Sequence, residues 1–201
     1  MLQHDKTFEY LKWLHSQGVN DVMTTAGTSQ FNMMNTEEIL HLNETVAMCF
    51  PGNKIIGVPA LNTFDMQLFL DDSMEKKPKD TSYILLYPDR FYHTQTLIDY
   101  FKAASDIVEG PVYVHDMGMR SGTGGSWEYT AEVINEMHDR GIVKGIKEEH
   151  PTLDSAFKFV SRLHEDLDVI VAGGSMRRHS LLRHAGANAF LGGLGNLLPE
   201  T

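Results

Sequence analysis

The chain alternates between short β-rich runs and stretches with helical periodicity, repeating at intervals of about one strand–helix unit. This alternation is typical of a parallel sheet whose strands are connected by helices. The runs are almost continuously apolar, which indicates strands covered on both faces. Seven strands are predicted: Asp21–Thr25, Lys54–Val58, Ser82–Tyr87, Val112–His115, Ile142–Lys147, Asp168–Ala172 and Ala189–Leu191.

The segments between these runs carry signals for helices. Before the first predicted strand, Phe8, Leu11 and Leu14 share one helical face. Asn35 followed three residues later by Glu38 is a capping box, so we expect a helix to begin there. The remaining connections have apolar residues at helical spacing, at Phe64/Leu68/Phe69, Leu97/Ile98/Phe101, Trp127/Ala131/Ile134 and Ala156/Phe157/Val160/Leu163.

The number of strands constrains the architecture. A closed (β/α)8 barrel typically needs eight strands and about 250 residues, whereas this chain has 201 residues and begins with a helix. We therefore predict one TIM-type (β/α)8 barrel domain over residues 1–201 that lacks the first strand and the last helix. Such a sheet has two unpaired edges, so we expect either a longer polypeptide or a partner chain that closes them.

Composition restricts the classes of partner and the location. The net charge is −10 and the basic residues are scattered, which argues against nucleic acid or a membrane surface as a partner. Cys49 is the single cysteine, as expected in a reducing compartment. No run approaches the ~20 apolar residues of a membrane helix. We expect a cytoplasmic protein.

Lys147 is the strongest candidate for chemistry, because it ends an apolar run at the carboxyl end of a predicted strand. Catalytic groups of (β/α)8 barrels lie on that face. Loss of hydration lowers the pKa of a buried lysine, and the neutral amine can attack a carbonyl. The alternative is a lysine that extends to solvent from the strand end.

Other polar residues follow neighbouring predicted strands. Gly27 and Thr28 lie in a turn that offers backbone N–H groups and hydroxyls to an anion. His115 and Arg120 follow the fourth strand, although His115 could instead be a structural residue bonded to Asp116. Gly173 opens a glycine pair after the sixth strand, where backbone can approach a ligand or cap a helix.

In order, these segments resemble the dihydrodipicolinate synthase/N-acetylneuraminate lyase family of class I, pyruvate-dependent aldolases. The resemblance covers nearly the whole chain and rests on an ordered set of segments: Gly27–Phe31 with Asn35–Glu38, Pro111–Asp116 with Arg120–Gly122, Gly145–Glu148, Ala172–Gly174, Gly186–Leu191 and Gly195–Glu200. The resemblance implies a TIM barrel that needs no cofactor. It also implies a homo-oligomer, because members of the family commonly assemble as tetramers.

The resemblance also implies roles for single residues. Lys147 would form a Schiff base with pyruvate or a related 2-oxo acid, which then reacts with an aldehyde acceptor. Gly27 and Thr28 would hold the pyruvyl carboxylate, Gly173 and Leu191 would line the pocket, and Arg120 would bind a second carboxylate. His115 stands where the family has its catalytic tyrosine, so it would carry protons instead.

The sequence departs from the family pattern in the turn and at the tyrosine position, and two alternative functions are open. The turn has Ser29-Gln30 where the family usually has Gly-Glu, and tyrosine is replaced by His115. One alternative is a catalytically retired barrel that binds a small acid or a partner chain. The other is a metal-dependent barrel hydrolase or isomerase, with ligands among His115, Asp116, Glu149, His150 and His179.

Overall fold

The protein forms a seven-stranded parallel sheet flanked by seven α-helices within the residues that the computed structural model describes: 4–25, 29, 33–75, 79–86, 93–117, 129–172 and 176–199. The strands are β1 Asp21–Thr24, β2 Asn53–Val58, β3 Thr81–Leu85, β4 Val112–Asp116, β5 Gly145–Glu148, β6 Asp168–Val171 and β7 Ala189–Phe190. The helices are α1 His4–Ser16, α2 Thr36–Cys49, α3 Thr63–Glu75, α4 Thr94–Ser105, α5 Ala131–Asp139, α6 Leu153–Val160 and α7 Met176–Leu182.

The strands lie side by side in chain order, from β1 to β7, and every neighbouring pair is parallel. This is the arrangement of a (β/α)8 barrel with one part missing, as the sequence predicts. The capping box at Asn35 is present, with the Asn35 side chain accepting from Glu38 N and the Glu38 carboxylate accepting from Asn35 N.

Apolar clusters cover both faces of the sheet. The larger core packs the helices onto the outer face through residues such as Leu70, Leu85, Phe101, Ile134 and Ile146. A smaller cluster on the inner face contains Ile84, Tyr113 and Ile170, with Met23, Ile55, Ala189 and Leu191 packed against it. These inner residues come from both ends of the sheet, so the sheet curls around a shared interior.

Described residues near the two ends of the chain are in contact. Within the described residues, β1 and β7 each pair with a single strand. Helix α1 contacts the segment after β7, where the Tyr10 hydroxyl donates to the Asn196 carbonyl and lies 3.1 Å from the Asn196 side-chain oxygen. Tyr10 also stacks on Trp13.

Two sequence expectations are wrong in detail. Strand β5 begins at Gly145 rather than Ile142, because Ile142 N donates to the Met137 carbonyl and completes the turn after α5. In α3 the buried residues include Met66 and Phe69, whereas Phe64 is 67% exposed and Leu68 is 49% exposed. The helix was predicted correctly, but of the three apolar residues that predicted it only Phe69 is buried.

Candidate functional site

The register of the sheet brings His115 and Lys147 together. These residues are direct partners on β4 and β5. Successive side chains of a strand alternate between faces, so both lie on the inner face with Tyr113. The Nε2 atom of His115 lies 2.7 Å from the Nζ atom of Lys147, and both side chains are 1% exposed. The alternative in which Lys147 extends to solvent is therefore wrong.

Burial perturbs the amine of Lys147. Loss of hydration lowers the pKa of Lys147, and the nearby Glu149 carboxylate opposes this effect without cancelling it. The gap in the barrel does not expose this side chain, which is 1% accessible to solvent. A lysine with a lowered pKa is the condition that imine chemistry needs.

Glu149 completes a cluster of three groups at the end of β5. It lies two residues after Lys147, and its Oε1 atom accepts a 2.5 Å hydrogen bond from Lys147 Nζ. The same oxygen lies 3.3 Å from His115 Nε2. Burial alone would raise the pKa of Glu149, but the hydrogen bond to His115 and the charge of Lys147 outweigh it and lower the pKa to about 2. Glu149 is therefore a carboxylate anion at neutral pH.

The layer below the cluster closes the site from the amino-terminal side. The Tyr113 hydroxyl donates a 2.8 Å hydrogen bond to Asp168 Oδ2. Burial and then Asp168 raise the pKa of Tyr113, so this phenol stays protonated. Ile170, the β6 neighbour of Lys147, provides an apolar wall, and Leu191 packs against the same inner cluster.

The outer face of the same strand ends carries a separate buried network. Asp116 and Glu148 are register partners, and His150 Nδ1 lies 3.2 Å from Asp116 Oδ2 and 3.3 Å from Glu148 Oε1. Arg178 on α7 donates at 2.7 Å to both Glu148 Oε1 and the His150 carbonyl. The His150 ring packs on Phe159 of α6 at 4.5 Å.

This network joins the ends of β4 and β5 to α6 and α7 from behind the site. It also settles the alternative in which His115 pairs with Asp116, because the two residues lie on opposite faces and Asp116 contacts His150. Sequence reasoning missed Arg178. Its only signal was a basic pair, Arg177-Arg178, near the start of a helix.

At the end of β1 the backbone turns sharply. Thr25 has a positive φ of 45°, and its hydroxyl lies 2.9 Å from both Asn43 Oδ1 and the Gly57 carbonyl. Asn43 Nδ2 also donates to that carbonyl. These contacts fix the point at which the chain leaves β1. Four predicted substrate-binding residues, Gly27, Thr28, Arg120 and Gly173, lie outside the described residues.

The candidate metal ligands do not converge. His115 and Glu149 belong to the inner cluster, whereas Asp116 and His150 belong to the outer network. His179 lies on α7, where its ring packs near Phe190 at 5.6 Å. Across the described part of the chain, no group of three or more His, Cys, Asp or Glu side chains is arranged to hold a metal ion. The described helices also include none that is long and apolar enough to cross a membrane.

Solved structures of the dihydrodipicolinate synthase family share this fold. The chain aligns over 100% of its length with YagE, a prophage protein of that family from E. coli K12 in complex with pyruvate, with a TM-score of 0.84 and 16% identity. The synthase from Aquifex aeolicus matches over 98% with a TM-score of 0.80 and 16% identity. The Acinetobacter baumannii synthase, complexed with pyruvate, matches over 99% with a TM-score of 0.81 and 16% identity.

These matches cover 67%, 66% and 67% of the three known chains, so this chain spans about two thirds of their length. No protein-family model matches the sequence, and no curated protein matches it. At this level of identity the comparison establishes the fold: a TIM-type barrel of the kind found in dihydrodipicolinate synthases, with a portion missing.

Proposed function

We propose that the protein is a class I aldolase or lyase that forms a Schiff base between Lys147 and pyruvate or a related 2-oxo acid. The observation that carries this proposal is the buried pair of Lys147 and His115, 2.7 Å apart at the carboxyl end of adjacent strands. The fold is that of dihydrodipicolinate synthases, and two of the matching structures contain pyruvate.

In the proposed reaction, the neutral amine of Lys147 attacks the keto carbon and water leaves. The resulting iminium group withdraws electrons, so a proton can leave the adjacent methyl group and give an enamine nucleophile. The enamine then attacks an aldehyde acceptor, or the reverse sequence cleaves a C–C bond. In this proposal the proton carrier is His115, whose Nε2 atom lies 2.7 Å from the reacting nitrogen.

The roles proposed for the remaining site residues rest on the family resemblance alone. Gly27 and Thr28 bind the pyruvyl carboxylate, and Arg120 binds a second carboxylate on the acceptor. Gly173 and Leu191 line the pocket around the imine. The position of Leu191 against the inner cluster is compatible with that role.

The test is incubation with pyruvate and borohydride, followed by intact mass measurement and peptide mapping. We expect a reduced adduct on Lys147 and its loss in Lys147→Arg. Lys54 is a matched control, because it is also buried but lies near the amino end of β2 and donates to the Phe50 carbonyl. It should carry no adduct, and Lys54→Arg should retain the adduct on Lys147.

A folded sample that gives no adduct with pyruvate or another 2-oxo acid would contradict the proposal. One observation favours the retired barrel in that event. The Glu149 carboxylate stabilises the ammonium form of Lys147, which cannot act as a nucleophile. The same sample should then bind a small acid without turnover.

A further inference from the structure

The family resemblance assigns no role to Glu149, yet Glu149 contacts both Lys147 and His115, the two groups that the proposed chemistry uses. A single oxygen, Oε1, bonds Lys147 Nζ and lies 3.3 Å from His115 Nε2. Its side chain is 12% exposed, so water screens its charge only weakly. A carboxylate in this position affects every step in which a proton moves between the amine and the imidazole.

Proton transfer to His115 has an electrostatic cost that Glu149 can offset. When imidazole accepts a proton it becomes a cation, and here it would do so in a buried site next to a lysine. A cation in such a place is costly unless a counter-charge lies beside it. Glu149 is within contact distance of the proton at either nitrogen, so it balances the charge before and after the transfer.

We propose that Glu149 is the counter-ion that allows His115 to take the proton of Lys147 and return it to the substrate oxygen. This inference rests on the proposed Schiff-base function and assigns to it a residue that acts on the reacting nitrogen. Lys147, His115 and Glu149 then work as one unit that carries a single mobile proton.

The proton balance of imine formation follows from this arrangement. An Nζ–H bond of the Lys147 ammonium breaks, the proton moves to His115 Nε2, and the freed lone pair attacks the carbonyl carbon. The imidazolium protonates the oxygen that receives the π electrons. His115 then removes a second proton from the nitrogen and delivers it to the hydroxyl, which leaves as water. The products are the protonated imine, water and neutral His115, with Glu149 anionic throughout.

Other groups near Lys147 do not supply this charge. From β4 the facing residues are His115 and, one layer below, Tyr113. From β6 the neighbour is apolar Ile170, and Asp168 below it accepts the hydrogen bond of Tyr113. The outer carboxylates of the Asp116 network lie on the opposite face of the sheet. Within the described residues, Glu149 is the anion in direct contact with the amine.

The test compares Glu149→Gln, Glu149→Asp and, as a control, Glu165→Gln, which changes an exposed carboxylate in the turn before β6. The first readout is the rate of borohydride trapping with pyruvate as a function of pH. Because Glu149 favours the ammonium, its removal should lower the pKa of Lys147 further and move its titration to lower pH.

We expect Glu149→Gln to shift the trapping profile to lower pH and to reduce its plateau rate about 10²-fold, the lower end for a group that supports proton transfer. Glu149→Asp should restore part of both. A loss of rate with an unchanged profile would indicate a merely structural residue and overturn the inference, as would a profile identical to that of Glu165→Gln.

A second readout separates this inference from the proposed function. The titration of Lys147 can be followed by NMR in protein labelled with ¹³C at the lysine ε carbon, with the signal assigned from Lys147→Arg. If no 2-oxo acid is trapped by the parent protein, the Schiff-base function fails. A midpoint that moves to lower pH in Glu149→Gln would still support the counter-ion role, whereas an unmoved midpoint would overturn it.

Discussion

Removing one member of the buried ion pair of Lys147 and Glu149 should destabilise the fold more than removing both, and a double-mutant cycle can measure this coupling. Lys147 is 1% exposed and Glu149 is 12% exposed, so both charges have lost most of their hydration. Removing one member of a buried pair usually costs about 3–5 kcal/mol, because the other charge remains buried without compensation. Removing both members is often neutral or stabilising.

In this site the cost of the single change should lie below that range. After Lys147→Met, Glu149 keeps some solvent contact and still has His115 Nε2 at 3.3 Å. We therefore expect Lys147→Met to lower the free energy of unfolding by about 1–3 kcal/mol. The double variant Lys147→Met/Glu149→Gln should recover this loss, with a coupling energy of about 2 kcal/mol.

The assay is urea denaturation at pH 7.5, with the m-values compared to confirm that the unfolding transition has the same character in each variant. Lys54→Met is the matched control, because Lys54 donates to a backbone carbonyl and its removal leaves no carboxylate behind. Its effect should add to that of Glu149→Gln without coupling. Strictly additive effects of Lys147→Met and Glu149→Gln would refute the reasoning.

Three further predictions concern proton transfer, packing and acid stability. His115→Phe should slow exchange of the pyruvate methyl protons with solvent by about 10²–10⁴-fold while the end-point yield of the trapped adduct is retained; unchanged exchange measured by NMR would make His115 structural. Gly145→Ala should lower the urea midpoint because the new Cβ would lie 2.2 Å from the Asp168 carbonyl oxygen, whereas Gly193→Ala meets nothing within 4 Å and should not; equal midpoints would contradict this. The pKa of Glu149 is lowered to about 2, so ionisation of Glu149 stabilises the fold above its unfolded pKa of about 4.3, and this effect is lost as the pH falls toward 2. The parent protein should therefore lose more stability between about pH 4.3 and pH 2 than Glu149→Gln does. Parallel pH profiles of the two proteins would contradict this prediction.

Much of the fold could be predicted from local pattern, because each parallel strand here is an apolar run bounded by helical periodicity. The error at β5 has a physical cause. Ile142 and Val143 are as buried as strand residues, but they follow Gly141, which has a positive φ of 69°, and pack as the turn after α5. Hydrophobicity alone does not distinguish a buried turn from a buried strand.

The site could be predicted less completely, because contacts between strands depend on register. Strand alternation places His115 and Lys147 each on a defined face, but only the pairing of β4 with β5 makes them neighbours. Glu149 was visible as a polar residue at a strand end, yet its contact with Lys147 depends on how the chain leaves β5. Arg178 is separated by 30 residues from Glu148, and no local pattern relates them.

The imidazole and the carboxylate of this site make physical sense as a pair. A phenol, which the resemblance leads one to expect at this position, is neutral when it holds its proton. An imidazole becomes a cation when it accepts one, and here it does so 2.7 Å from a lysine nitrogen. A cation at either nitrogen of this buried site is costly unless an anion lies beside it. Glu149 Oε1 contacts both nitrogens, so its charge removes the penalty that the imidazole introduces. If the proposed proton transfer takes place, histidine at position 115 therefore depends on glutamate at position 149 as its counter-ion.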